Sequence, residues 1–418
     1  MDSGSVAWML VASALVLFMT PGLAFFYGGL VRGKNVVSTI MYSFVAMGVV
    51  SVVWVLWGYS LAFGTTMDET GKAVRGFNNF IGNFDFLGFK NVSSDPKDGE
   101  MLFAIFQMMF AIITPALITG AIAERFKFTT YLVFLVAWIT FVYAPIAHWV
   151  WAADGWLFLD GALDFAGGTV VHINAGIAAV VAAWMVGKRR GVDRGVEPHN
   201  VPFVVLGAGI LWFGWFGFNA GSGLAADGLA ISAFLVTNTA AATALVVWVI
   251  LGHIHTGKMS GVGAATGAVA GLVAITPASG FVGPMGAIAV GLGAGVLTFY
   301  AVRIRHKFGF DDALEVMAVH GVGGIWGAIA TGIFAMAVIN NEGVAEAVGL
   351  VDGDAGVLVT NLIAVLATIA YSFIVTFVIL KILDVIPGLG LRADEADEDA
   401  GLDIALHGER AYVGDGAD

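Results

Sequence analysis

Eleven long apolar runs dominate this chain and leave few folds open to it. They lie near residues 6–31, 35–63, 101–123, 128–150, 165–187, 200–221, 228–251, 259–276, 280–302, 313–338 and 356–383. A helix needs about 20 mostly apolar residues to cross a hydrocarbon core of about 30 Å. The pair 259–276 and 280–302 is the weakest signal, because only a short turn around Pro277 divides it. Of the 418 residues, 59% are hydrophobic and 12% charged, and mean hydropathy is +0.89. A soluble domain runs nearer to about 45–50% apolar and about 25% charged. The 57 glycines suit helices packed closely in a membrane. The fold class is therefore all-α and polytopic, with eleven transmembrane helices. Disorder, coiled coil and a disulfide scaffold are excluded, and with no cysteine a thiolate metal site is excluded too. Acidic residues number 31 against 19 basic ones, which argues against a nucleic-acid partner.

Lys and Arg set the orientation. Fifteen of the 19 fall in one set of loops, which includes Arg32, Arg125, Lys188–Arg190 and Arg303–Lys307. The other four, Lys72, Arg75, Lys90 and Lys97, share a single long loop. This bias predicts an outer N-terminus and a cytoplasmic C-terminus, as an odd number of spans also requires. Arg32, the first basic residue, follows the first run, so that run reads as a retained span rather than a removed signal. Trp149, Trp151 and Trp156 are then expected at the outer interface as an aromatic belt. Residues 1–383 form the transmembrane domain, and residues 384–418 a polar tail with an acidic run at 394–399. On charge alone that tail is equally a disordered terminus.

Two segments resemble each other. Asp164-Phe-Ala-Gly-Gly-Thr-Val-Val-His172-Ile-Asn-Ala-Gly176 lies in span five, and Asp312-Ala-Leu-Glu-Val-Met-Ala-Val-His320-Gly-Val-Gly-Gly324 in span ten. Each has an acid eight residues before a Val-His pair and a glycine four residues after it. Five spans per half is odd, so repeats near 1–190 and 200–340 would enter the membrane from opposite sides, as inverted repeats do. Each histidine is expected about seven residues inside its helix, roughly 10–12 Å deep. Ionisable groups at that depth are costly and point to function. Desolvation favours neutral rings, each with one donor and one acceptor nitrogen. Such a pair could line a narrow path for a small neutral solute. A histidine bonded to a backbone carbonyl between helices is the structural alternative.

Aromatic side chains form the second constellation: Trp212-Phe-Gly-Trp215-Phe-Gly-Phe218-Asn-Ala-Gly-Ser222, with Gln107 and Phe110 in span three and Trp151 just beyond span four. Aromatic faces attract a monovalent cation, more strongly as water is excluded. A hydroxyl such as Ser222 could accept one hydrogen bond from it. Ordinary aromatic packing is the alternative. Asp164, at a helix start, suits a capping carboxylate at least as well as a proton-transfer group. Gly263, Gly267 and Gly271 follow small-xxx-small spacing. His253 and His255 read as exposed residues of a short cytoplasmic loop. No nucleophile–base set, metal cluster or cofactor loop stands out, so an enzyme is the least supported reading.

Together these residues resemble the ammonium transporter family (Amt/Mep/Rh), its Amt branch in particular. The resemblance runs from Thr20-Pro-Gly-Leu-Ala-Phe-Phe-Tyr-Gly-Gly29 to the tail segment Gly401–Tyr412, and is most specific at Asp164–His172, Trp215–Ser222 and Val319–Gly324. It implies two inverted five-helix halves plus a final helix, assembled as a homotrimer with one pore per subunit. It implies an ammonium site at Phe110, Trp151 and Ser222, a gate of Phe110 and Phe218, and a pore lined by His172 and His320. Asp164, Trp215 and Glu315 would support these. It further implies a cytoplasmic tail that acts as a folded regulatory element and docks a PII-type signal protein. One departure is Glu315, where many relatives carry Asp five residues before the second histidine; the charge is kept and the side chain is longer. The expected function is ammonium uptake across the cell membrane, without a cofactor. The alternatives are an ammonium sensor acting through a partner and an electroneutral gas channel.

Overall fold

The structure is a computed structural model describing residues 1–340 and 348–412; residues 413–418 of the tail lie outside the described residues. Among the described residues, ten helices are long and apolar enough to cross a membrane. In chain order they and one shorter helix are α1 (Ser3–Leu30), α2 (Gly33–Phe63), α3 (Glu100–Ile122), α4 (Phe128–Leu159, broken at 152–155), α5 (Gly168–Val186), α6 (Val201–Gly223), α7 (Gly228–Thr256), α8 (Gly261–Ile275), α9 (Pro284–Arg305), α10 (Met317–Phe334) and α11 (Gly356–Val385). The short one, α8, is the first of the pair that the sequence separates least clearly. Two small helices, α12 (Glu395–Ala400) and α13 (Leu402–His407), follow in the tail.

Small residues let the helix backbones meet. The opening helix α1 lies along α6, where a methyl group on Gly207 would fall 2.3 Å from the Phe26 nitrogen. With no hydrophobic drive between helices inside lipid, such close van der Waals packing holds them together. The glycine stripe of α8 behaves likewise at two of its three positions: a Cβ on Gly267 would meet Trp248 at 2.5 Å, and one on Gly271 the Ala240 carbonyl at 2.5 Å. Gly263 has no contact closer than 3.5 Å.

Three local expectations change. His253 and His255 belong to the last turn of α7, which runs on to a left-handed Gly257. Trp149 is buried rather than exposed in a belt, because the 64–99 loop folds over it; its Nε1 donates to the Phe80 carbonyl at 2.8 Å. The histidine-bearing helices also begin later than expected. Helix α5 starts at Gly168 and α10 at Met317, so His172 and His320 sit in first turns, not seven residues in. Non-helical backbone leads into both, and such backbone is tolerated at depth only where protein covers it.

The two ends of the bundle differ. On one, the 64–99 loop and Met1 meet, the amino group donating to the Lys97 carbonyl at 2.7 Å. The other is basic and tightly cross-linked. Arg125, fully buried, donates to the carbonyls of Ala121, Ala123, Gly187 and Asp311. Arg189 grips Asp311 through Nε and Nη2 at 2.8 and 2.9 Å, and Arg32 pairs with Glu124. The tail docks on this basic end. Arg392 holds buried Glu398, Arg190 reaches Asp399 at 2.9 Å, and the amide of Ser38 donates to Asp403 at 2.8 Å. Its acidic run is therefore paired in place rather than loose.

Candidate functional site

Three cavities lie in line through the bundle. On the loop end, a vestibule of about 320 Å³ is bordered by Gln107, Phe110, Trp151, Asp164 and Ser222 among others. Its floor is aromatic: Phe110 and Phe218 pack with ring centroids 4.2 Å apart at 35°. Trp151 stands edge-on to Phe110, 5.9 Å away at 88°. Below the floor, a slit of about 10 Å³ is bounded by apolar side chains, Trp215, His172 and His320. His320 also borders a third cavity, of about 580 Å³, which opens on the basic end.

Local chemistry fixes each group. Phe110 rides on α3, where its carbonyl accepts from the Thr114 hydroxyl at 2.6 Å. Ser222 ends α6 and donates to the Phe218 carbonyl at 2.9 Å, which leaves its oxygen lone pairs free. Trp151 donates from Nε1 to the backbone carbonyl of Asp164 at 2.9 Å. The Asp164 side chain is fully engaged at the start of α5: Oδ1 accepts from the amides of Gly167 and Gly168, and Oδ2 from the amide and hydroxyl of Thr169. A carboxylate there satisfies orphan N–H groups and complements the helix dipole. Gln107 is 8% exposed, and its Oε1, inside the vestibule wall, has no partner.

Below this aromatic floor, His172 lies parallel to Trp215, at 5.5 Å and 25°, and to Phe218, at 6.1 Å and 22°. Trp215 is anchored by its Nε1 to the Thr276 hydroxyl at 2.8 Å. The two histidines meet through their Nδ1 atoms at 3.2 Å. Two like ring nitrogens at this distance need one proton between them, so both rings cannot be cationic. The Nε2 of His172 is buried without a partner.

The twin segments build this meeting point reciprocally. A Cβ on Gly176, four residues after His172, would lie 2.4 Å from the Gly321 Cα. One on Gly324, four after His320, would lie 3.0 Å from the His172 Cβ. Both histidines occupy turns of π-helix, which are frequent at functional sites. Asp312 is the counterpart of Asp164, its Oδ2 accepting from the amide of Met317 at 2.7 Å. The equal eight-residue spacing from acid to histidine is the sequence signal for that cap. Glu315 stands apart from the histidine pair, with positive φ, on the wall of the basic-end cavity. It holds Arg305 in a two-pronged ion pair at 2.7 and 2.6 Å. Among the described residues, no group of three His, Asp or Glu side chains could hold a metal ion.

Comparison with known proteins bears on the chain as a whole. The chain is 47% identical over 418 residues to an ammonium transporter of Bacillus subtilis, covering 99% of both chains. Its fold matches the crystal structure of Candida albicans Mep2 with a TM-score of 0.87 at 35% identity, over 95% of this chain and 88% of that one. It also matches a protein titled Sensor Amt Protein, with a TM-score of 0.84 at 31% identity, over 97% and 98% of the two chains. The model of the Ammonium Transporter Family matches residues 7–412. An all-helical chain with this many spans, whose match to that model is nearly complete, is a multi-pass membrane transport protein and not an enzyme, and it belongs to the ammonium transporter family.

Proposed function

We propose that this transporter captures ammonium in the aromatic vestibule, strips a proton from it at the phenylalanine gate, and passes ammonia along the histidines. The observation that carries this reading is the alignment of the Phe110–Phe218 stack with a histidine pair that cannot be doubly charged. Phe110 and Trp151 offer π faces to a cation, each such contact contributing about 0.5–2 kcal/mol. Ser222 accepts a hydrogen bond, which ammonium can give and Na⁺ or K⁺ cannot. The slit beneath is too apolar and too small for a hydrated ion, so what passes the gate is neutral. Asp164 supports capture through its carbonyl on Trp151 and its cap on α5, and Trp215 holds the plane of His172. The proton follows separately, giving net charge movement with the histidines as relay.

The vestibule end faces outward in this reading, following the positive-inside rule, and the basic end and the tail are cytoplasmic. The segments around 1–190 and 200–340 act as inverted halves, supported by the reciprocal glycine and capping contacts. Three copies assemble, as the family resemblance implies, and the ion-paired tail is a regulatory element offering its surface to a PII-type signal protein. Uptake of labelled methylammonium into proteoliposomes tests capture. Uptake should resist excess K⁺ in the wild type and weaken in Phe110→Ala; strong K⁺ competition would refute the site. The match to a sensor protein favours one second reading, in which binding alone is signalled to a partner. Binding without turnover in the same vesicles would favour it.

A further inference from the structure

His148, fully buried near the end of α4 beneath the 64–99 loop, has acceptors at both ring nitrogens. Its Nδ1 lies 3.0 Å from the Ala62 carbonyl, and its Nε2 lies 2.7 Å from the Asn78 carbonyl and 3.4 Å from Asp154 Oδ1. A neutral imidazole presents one bare lone pair, and either bare nitrogen would face a carbonyl oxygen at hydrogen-bond distance. Only the doubly protonated ring satisfies both contacts. Asp154 is buried as deeply, and its Oδ1 has no hydrogen-bond partner other than this ring. Its Oδ2 accepts from the amide of Thr66 at 2.8 Å, and its carbonyl from the Asn79 side chain at 2.6 Å. Of the other cations of this part of the loop, Lys72 is exposed and Arg75 faces exposed Asp160 at 3.5 Å. Asp154 is thus the charged group that faces the ring.

We infer that His148 is held as an imidazolium, ion-paired with Asp154, and is a positioning residue for the cation site: it clamps the loop to the helix end that carries Trp151. The ring lies one turn before Trp151, and its carbonyl accepts from Ala152 at 3.2 Å, where the helix stops. Gly155 lies so close beneath that a Cβ there would fall 2.0 Å from the same carbonyl. The clamp therefore sets where the Trp151 ring stands over the vestibule. This rests on the reading of Trp151 as a capture residue.

Solid-state NMR on proteoliposomes with isotope-labelled histidine, assigned by difference against His148→Gln, reads the ring directly. Two ring N–H signals at neutral pH are expected for His148; a single one overturns the inference. Methylammonium uptake gives the second readout. His148→Gln and the gentler Asp154→Asn should each raise KM about fivefold, the size of one weakened cation–π contact, and leave the maximal rate unchanged. An unchanged KM in Asp154→Asn, which serves also if His148→Gln fails to fold, overturns it as well. Trp151→Leu separates the two ideas: if it leaves KM unchanged while the ring signals are double, the capture reading fails and the imidazolium assignment stands.

Discussion

His172 and His320, 148 residues apart in sequence, meet Nδ1 to Nδ1 at 3.2 Å in the middle of the bundle. One proton shared between like nitrogens makes the pair a hydrogen-bonded unit in which each ring orients the other. The contact exists because each histidine sits in the first turn of a helix whose start is capped by an acid eight residues before the histidine. Replacing His320 with Ala should leave His172 without its Nδ1 partner and slow ammonia conduction. Replacing both should not restore it. Stopped-flow pH measurements on vesicles check this.

Gly176 has no room for a methyl group, since its Cβ would lie 2.4 Å from the Gly321 Cα and no flexible side chain could yield. Gly176→Ala should therefore force α5 and α10 apart and lower stability by about 1–3 kcal/mol, as overpacking does. The thermal midpoint in detergent reads this. At Gly48, with nothing within 4 Å, the same change should be tolerated.

The buried Arg189–Asp311 pair makes part of the stability acid-labile. Burial pushes the Asp311 carboxyl up, but the hydrogen bonds and charge of Arg189, with the charge of Arg125, outweigh this and hold it at about 2. A carboxyl depressed from its ordinary value stabilises the fold above that value and loses the contribution as pH falls through the folded one. The effect should amount to about 2 kcal/mol, lost between about pH 4 and pH 2. The difference in thermal midpoint between wild type and Asp311→Asn should be constant from pH 7 to pH 5 and shrink below that.

Glu398 is buried against Arg392, with bonds of 2.5 and 2.9 Å. Removing one partner of a buried pair leaves the other charge uncompensated. Glu398→Ala should release residues 390–407 from the basic end, and limited proteolysis should then cut the tail many times faster than in the wild type. Ala396→Ser, at an exposed position of the same helix, should leave the cutting rate unchanged.

Much of this was legible in the sequence. Spans are set by hydrophobic length, and the twin Asp–Val-His–Gly spacing announced two related segments before any fold was drawn. The capping chemistry of Asp164 also follows from its place before a helix. What escaped depended on tertiary contact. The late starts of α5 and α10 arise because Asp164 and Asp312 satisfy amides that would otherwise continue the helix outward. Trp149 looked like an interface anchor, yet the loop over it is polar enough in sequence to hide that it folds back as a lid. The basic end reads as scattered loop charges, and only the fold reveals that Arg125 binds four carbonyls. Glu315 attracted notice as a departure, while its ion-pair partner Arg305 gave no local signal.

The most direct test of the transport cycle is charge displacement by proteoliposomes on a solid-supported membrane after an ammonium jump, at two protein densities, with Phe110→Ala and His172→Ala alongside. The expected result is a current whose decay speeds up with protein density and which collapses in both variants. A brief transient whose decay is independent of density, or an ammonia-driven pH change with no current at all, would contradict it.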